Sequence, residues 1–109
     1  MAYVEVAKVG DVPPGTMKAV TAAGKQVLIV NHDGAIYAMA RVCSHMGGDL
    51  AKGTLQGATV RCPRHGSQFD VRTGAALAGP KIGPLKMSTK ALAVYAVKIE
   101  GDAIIVDVG

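Results

Sequence analysis

Polar and apolar residues alternate over short stretches of this chain, and helix spacing is poorly represented. Tyr3 to Ala7 alternates and predicts a first strand. Asp11-Val-Pro-Pro-Gly15 predicts a turn, with proline supplying a fixed φ and glycine a positive one. Met17 to Thr21 and Gln26 to Asn31 predict two strands joined at Ala23-Gly24. Val27 to Val30 is wholly apolar, so this strand is expected to be buried on both faces. His32-Asp33-Gly34 predicts a tight hairpin turn, since Asp-Gly favours type I′. His32 is therefore expected to be an exposed turn residue. Ile36 to Val42 returns from that turn, and Asp49 to Lys52 has the makings of one helical turn.

Further on, Gly53 to Gly57 reads as a turning segment. Ala58 to Arg61 and Gln68 to Val71 read as short strands, the second ending in a turn at Arg72-Thr73-Gly74. Ala91 to Glu100 and Ala103 to Val108 predict a closing hairpin around Gly101-Asp102. Lys81 to Lys90 is basic, carries Gly83-Pro84 and has no regular pattern, which suits an extra loop. The pattern as a whole predicts an all-β protein. Its outer strands form a base sandwich or barrel, and residues near 42–80 form an inserted lobe.

Composition narrows this further. The 109 residues form a single domain, 1–109, long enough for a modest core without disulfides. With no Trp, one Phe and three Tyr, that core has to be built from Val, Ile, Leu, Ala and Met. Fourteen glycines, about 13% where about 7% is usual, suit many short strands and their turns. The start, Met1-Ala2-Tyr3-Val4-Glu5, has neither a basic nor an apolar signal-peptide region. The longest apolar run, Ala91 to Val97, is far shorter than a membrane span. A cytoplasmic protein with no membrane contact, monomeric when free, is the expectation. The formal charge is +4. Between Arg41 and Arg72 five basic residues (Arg41, Lys52, Arg61, Arg64, Arg72) face two acidic ones (Asp49, Asp70). Without a Lys/Arg run or interleaved aromatics, this excess argues against nucleic acid and for a solvated face or a dock for an acidic partner.

The chemistry is concentrated in two segments, Cys43-Ser44-His45 and Cys62-Pro63-Arg64-His65, separated by sixteen residues. Both cysteines of the chain and two of its three histidines lie there. Thiolate and imidazole are soft-to-borderline ligands, so Cys43, His45, Cys62 and His65 make one candidate metal site. The set fits either zinc or an iron–sulfur cluster of mixed ligation. Zinc modules usually pair like ligands, C-x2–4-C and then H-x3–5-H, whereas each segment here reads Cys then His. That order suits two metal atoms side by side, one on the cysteines and one on the histidines. A structural zinc module is the remaining alternative. A disulfide is disfavoured because each cysteine has a histidine at ligand spacing.

The flanks add Met46-Gly-Gly-Asp-Leu50, Gly53, Gly66-Ser-Gln-Phe-Asp70, Thr73-Gly74 and Gly79-Pro80. With these the chain resembles the Rieske [2Fe–2S] family over nearly its whole length, most densely from Val42 to Pro80. The resemblance implies three antiparallel sheets with an inserted cluster-binding lobe, and one [2Fe–2S] cluster. It implies Cys43 and Cys62 as thiolate ligands of one iron and His45 and His65 as neutral ligands of the other. Mixed ligation places the potential in a range of roughly −150 to +300 mV. Gly47, Gly48 and Gly66 would let backbone approach the sulfurs, Pro63 would stiffen the second loop, and Leu50 and Pro80 resemble the family's covering residues.

The high-potential, respiratory branch of that family carries a further cysteine in each loop, where this chain has Gly48 and Arg64. It also carries a serine, kept here as Ser67, and a tyrosine, replaced here by Phe69. The chain is thus closer to the soluble Rieske-type ferredoxins of the oxygenase branch. The function implied is one-electron transfer from a reductase to a terminal oxygenase or similar oxidoreductase, through the edge of His45 and His65. No independent substrate turnover is expected, since no nucleophile, substrate pocket or mononuclear iron triad is evident. A small Rieske subunit of an NAD(P)H-dependent nitrite reductase is the alternative of a different class.

Overall fold

The computed structural model describes residues 3–42, 48–63, 66–78, 81–82, 85–86 and 91–108. In chain order the strands are β1 (Tyr3–Lys8), β2 (Met17–Ala22), β3 (Lys25–His32), β4 (Ala35–Ala40), β5 (Thr54–Gln56) and β6 (Thr59–Arg61). They continue as β7 (Gln68–Asp70), β8 (Ala76–Ala78), β9 (Lys81–Ile82), β10 (Leu85–Lys86), β11 (Val94–Glu100) and β12 (Ala103–Asp107). Single 3-10 turns occupy Val9–Asp11 and Leu50–Lys52. Three antiparallel sheets result. The base has the order β1-β12-β11-β4-β3-β2, the lobe has β5-β6-β7-β8, and β9 pairs with β10. The two edges of the base sheet, β1 and β2, approach one another, so the sheet nearly closes into a barrel. The all-β architecture expected from the pattern is the one observed.

β3 is the wall between base and lobe. Successive side chains of a strand point to opposite faces, and here both faces are covered. Val27 and Ile29 enter the barrel core with Val12, Ala22, Ala38, Ile104, Val106 and Val108. Leu28 and Val30 turn the other way, onto Met39, Leu50, Val60, Phe69, Val71 and Leu92 of the second core. All four are fully buried, and burial of each such side chain is worth about 1.5–3 kcal/mol. The unbroken apolar run therefore ties the lobe to the base.

The turns follow from local chemistry. Ala23 and Gly24 have φ of 50° and 80°, and Asp33 and Gly34 have 55° and 91°. Positive φ at both central residues is the type I′ requirement, and it matches the twist of the flanking strands. The buried Asn31 side chain secures the second turn. Its carbonyl accepts from the Gly34 amide at 2.8 Å, and its amide donates to the Val12 carbonyl at 2.7 Å.

Several expectations are corrected. His32 is not in the turn, because a two-residue I′ loop has room only for Asp33 and Gly34. It is the last residue of β3, paired with Ala35 and half-buried. There it lines a cavity of about 400 Å³ with Pro14, Gly15, Asp33, Leu55 and Gly57. Gly53 to Gly57 is not merely a turning segment. Thr54–Gln56 pairs with β6 in full register, and the bend is the two-residue Gly57-Ala58 turn, with Gly57 at φ 57°. The return strand stops at Ala40 rather than Val42. The closing strand starts at Val94, not Ala91, because the Leu92 amide donates to Gly74 and the Ala93 carbonyl accepts from Ala40. The basic segment is not wholly loop, since Ile82 pairs with Leu85 and Lys81 with Lys86. Gly83-Pro84 and residues 87–90 lie outside the described residues.

Candidate metal centre

The second ligand segment sits at the tip of the β6–β7 hairpin. Arg61 pairs with Gln68, and the Cys62 amide donates to the Ser67 carbonyl at 2.7 Å, which carries the register one step further. Residues opposed across an antiparallel pair share a face, as do residues two apart on one strand. Val60, Cys62, Ser67 and Phe69 therefore share one face, and all four are buried while Arg61 is exposed. Cys62 is 3% exposed and Ser67 1% exposed. Among the described residues the Ser67 hydroxyl has no hydrogen-bond partner. A soft sulfur donor and a buried hydroxyl on one dry face fit an iron–sulfur cluster, whose sulfurs accept hydrogen bonds.

At the tip, Gly66 has φ 78°. A Cβ there would stand 2.9 Å from the Arg61 Nη2 and 3.1 Å from its Nε. The Arg61 guanidinium therefore lies against the Gly66 backbone. The positive φ requires glycine, whereas the guanidinium is the far end of an exposed side chain that can move aside.

The first ligand segment is held at its neck. Val42 and Asp49 form an isolated antiparallel bridge, and the Leu50 amide donates to the Arg41 carbonyl at 2.9 Å. Arg41 Nε and Nη2 reach Asp49 Oδ1 and Oδ2 at 2.9 and 2.7 Å. Asp49 Oδ1 also accepts from the Ala51 amide at 3.0 Å, capping the 3-10 turn. The Arg41 hydrogen bonds, with that backbone bond, hold the Asp49 carboxyl below the usual carboxylate range against the opposing effect of burial. The Arg41 guanidinium is correspondingly raised, chiefly by its bonds to Asp49.

Two contacts bring the necks together. Leu50 is fully buried in the same core as Cys62, Val60 and Phe69. Gly53 lies so close to the Arg61 backbone that a Cβ would stand 2.0 Å from its carbonyl oxygen. The chain leaving the first segment thus rests on the strand entering the second.

Of the four candidate ligands, Cys62 is described and buried, whereas Cys43, His45 and His65 lie outside the described residues. Arg64, Gly47 and Pro80 also lie outside them, while Gly48 is buried. From the sequence, Arg41, Asp49, Asp70 and Arg72 stood out as charges and as members of strands or turns, not as pairs. In fact Arg72 forks onto Asp70, with Nε–Oδ1 3.1 Å and Nη2–Oδ2 3.0 Å, as Arg41 does onto Asp49. An arginine just before and an aspartate just after a ligand segment was the available signal.

A family model described as the Rieske [2Fe–2S] domain matches residues 2–98. The ferredoxin component of a biphenyl 2,3-dioxygenase from Rhodococcus jostii (strain RHA1) is 35% identical over 107 residues, 98% of this chain and 94% of that protein. The ferredoxin component of a naphthalene 1,2-dioxygenase system from Pseudomonas aeruginosa is 32% identical over 105 residues, covering 96% and 94%. Among solved structures, the ferredoxin of carbazole 1,9a-dioxygenase from Nocardioides aromaticivorans IC177 superposes with a TM-score of 0.79 at 30% identity, covering 97% of each chain. With the family model matching residues 2–98 and relatives agreeing along nearly the full length, the chain, which buries a cysteine at its lobe tip, belongs to the Rieske [2Fe–2S] domain family.

Proposed function

We propose that this protein is the ferredoxin of a multicomponent ring-hydroxylating dioxygenase system, a one-electron carrier between a reductase and a terminal oxygenase. The observation that carries this reading is the correspondence with dioxygenase-system ferredoxin components over 94% of their length. The whole chain, 1–109, is one Rieske domain, with a cluster-binding lobe at about 42–80. Cys43 and Cys62 hold the cluster as thiolates, and His45 and His65 hold it as neutral imidazoles. The bound cluster supplies a site that takes and releases one electron. The chain's own residues keep that site dry on the Val60–Cys62–Ser67–Phe69 face and carry its docking charges. The compartment is the cytoplasm, where reducing conditions keep ligand cysteines out of disulfides.

The reading is tested by iron and sulfide analysis together with an EPR spectrum of the dithionite-reduced protein. Two irons, two sulfides and a Rieske-type signal are expected. A colourless protein with one zinc per chain would overturn the reading.

Asp49 and Asp70 are each engaged by an arginine, so the lobe's positive excess falls on Lys52, Arg61 and Arg64. Transfer to a purified terminal oxygenase of a dioxygenase system should therefore slow as salt rises. Arg61→Glu and Arg64→Glu should each lower the association rate at low salt. Stopped-flow rates independent of ionic strength would sink this docking scheme.

Hydrogen bonds to cluster sulfur favour the reduced, more negative state. One such bond is worth about 1 kcal/mol, or roughly 43 mV for one electron. Ser67→Ala should thus lower the potential by some tens of millivolts. Phe69→Tyr, on the same face as Cys62, should raise it similarly. Protein-film voltammetry reads both, and a Ser67→Ala potential equal to wild type would remove the hydroxyl from this role.

A further inference from the structure

The first ligand segment leaves and re-enters the fold through one neck. Val42 and Asp49 pair across it, and the Leu50 amide reaches back to the Arg41 carbonyl. The described backbone on either side of that segment is therefore joined at two adjacent points. The Arg41–Asp49 fork closes the same neck through side chains, at 2.9 and 2.7 Å, with those side chains only 29% and 25% exposed. A planar guanidinium gripping both carboxylate oxygens fixes orientation as well as distance, which one point contact cannot do. Asp49 Oδ1 additionally holds the Ala51 amide, starting the 3-10 turn that seats Leu50 in the core with Cys62. One carboxylate thus links three things: the strand entering the first segment, the turn leaving it and the buried face of the second.

We infer that Arg41 and Asp49 are a positioning pair that sets where the first segment presents Cys43 and His45 relative to Cys62. This rests on the ligand assignment proposed above. Neither side chain needs to touch the cluster. The pair acts by holding the width and angle of the neck, two residues before Cys43 in the chain.

The molecule contains its own control. Arg72 grips Asp70 with an equivalent fork, but across the turn that follows β7, away from either ligand segment. Arg72→Met removes the same chemistry without touching a neck. Arg41→Met and Asp49→Ala should release iron to a ferrous chelator faster than wild type, by up to the about 10–100-fold range that losing a group bonded directly to a ligand costs. Their reduced EPR signals should broaden or shift in g. Arg41→Lys, which keeps the charge and loses the fork, should fall in between. The double variant should be little worse than either single one, because the two residues act as a unit. Arg72→Met should keep the wild-type signal and release rate even where its melting temperature falls as much.

Wild-type signal and release rate in Arg41→Met, or changes in Arg72→Met as large as those in Arg41→Met, would overturn the inference and leave a general lobe-stabilising contact. The wild-type iron content judges the ligand assignment separately. Hydrogen exchange at the Leu50 amide judges the neck by itself: it should accelerate at least tenfold in Arg41→Met, and unchanged protection overturns the clamp whatever the iron content.

Discussion

Cys62→Ser should yield a protein with no red-brown colour, no acid-labile sulfide and a lobe that has lost much of its order. Cys62 is 3% exposed and belongs to the core formed by Leu28, Val30, Met39, Leu50, Val60, Phe69, Val71 and Leu92. Serine is close to isosteric with cysteine, so the loss traces to ligand chemistry rather than to a hole in the packing. A neutral hydroxyl replaces a soft thiolate, and soft thiolates are what iron–sulfur clusters select. A site of this size folds around its metal, so the lobe follows. The barrel core is a separate set of residues, from Val12 to Val108, and should survive. Far-UV circular dichroism should accordingly keep most of its strand signal while visible absorbance disappears. Cys43→Ser is expected to do the same. Either variant retaining two irons, two sulfides and the wild-type spectrum would remove that cysteine from the ligand set.

Gly74→Ala should be the most damaging change that touches no candidate ligand. Gly74 has φ 78°, and a Cβ there would stand 2.1 Å from the Leu92 carbonyl oxygen and 3.1 Å from Val94 Cγ1. The nearest obstacle is backbone, which does not give way easily, whereas the Val94 side chain is exposed and can shift. The Gly74 amide also donates to Asp70 at 2.7 Å, and the Gly74 carbonyl accepts from the Leu92 amide at 2.8 Å. This junction is where the β7–β8 turn of the lobe meets the segment leading into β11. The left-handed backbone alone costs an L-residue about 1–2 kcal/mol, and a lost hydrogen bond adds about 1 kcal/mol. With the overlap included, about 3 kcal/mol or more is expected from chemical denaturation. Gly57→Ala is the comparison, because Gly57 has φ 57° but open space around its Cβ position. It should lose only the backbone part. Equal losses at the two sites would show that the Leu92 contact carries no energy.

Much of the base was legible because its signals are local. Alternation in β1, the apolar run of β3 and the Asp33-Gly34 turn each depend on residues within a few positions of one another. Backbone sterics and pleat geometry act over that range, so they can be read along the chain. One helical turn near Asp49 to Lys52 was visible for the same reason, though not that Asp49 caps it. The pairing of cysteine with histidine in two segments was visible because ligand spacing is also a short-range property.

The lobe was less legible. β5 and β8 carry only three residues each, flanked by or close to glycine, and nothing in Thr54–Gln56 or Ala76–Ala78 marks a strand until a partner is alongside. Their hydrogen bonds come from β6 and β7, so pairing rather than propensity decides them.

By itself the sequence determined the all-β class, the hairpin turns, the doubly buried β3 and the candidate ligand set Cys43, His45, Cys62 and His65. Only the tertiary structure decided which charges are consumed in pairs and which are left for a partner. Arg41 and Arg72 face Asp49 and Asp70, while Arg61 folds over Gly66. It also decided which glycines are irreplaceable. Gly53 and Gly74 look like any other turn glycine until Arg61 and Leu92 bring their carbonyls against them. Charge pairing and steric exclusion depend on distance through space, and residues as far apart in the chain as Gly74 and Leu92 become neighbours only when the sheets close.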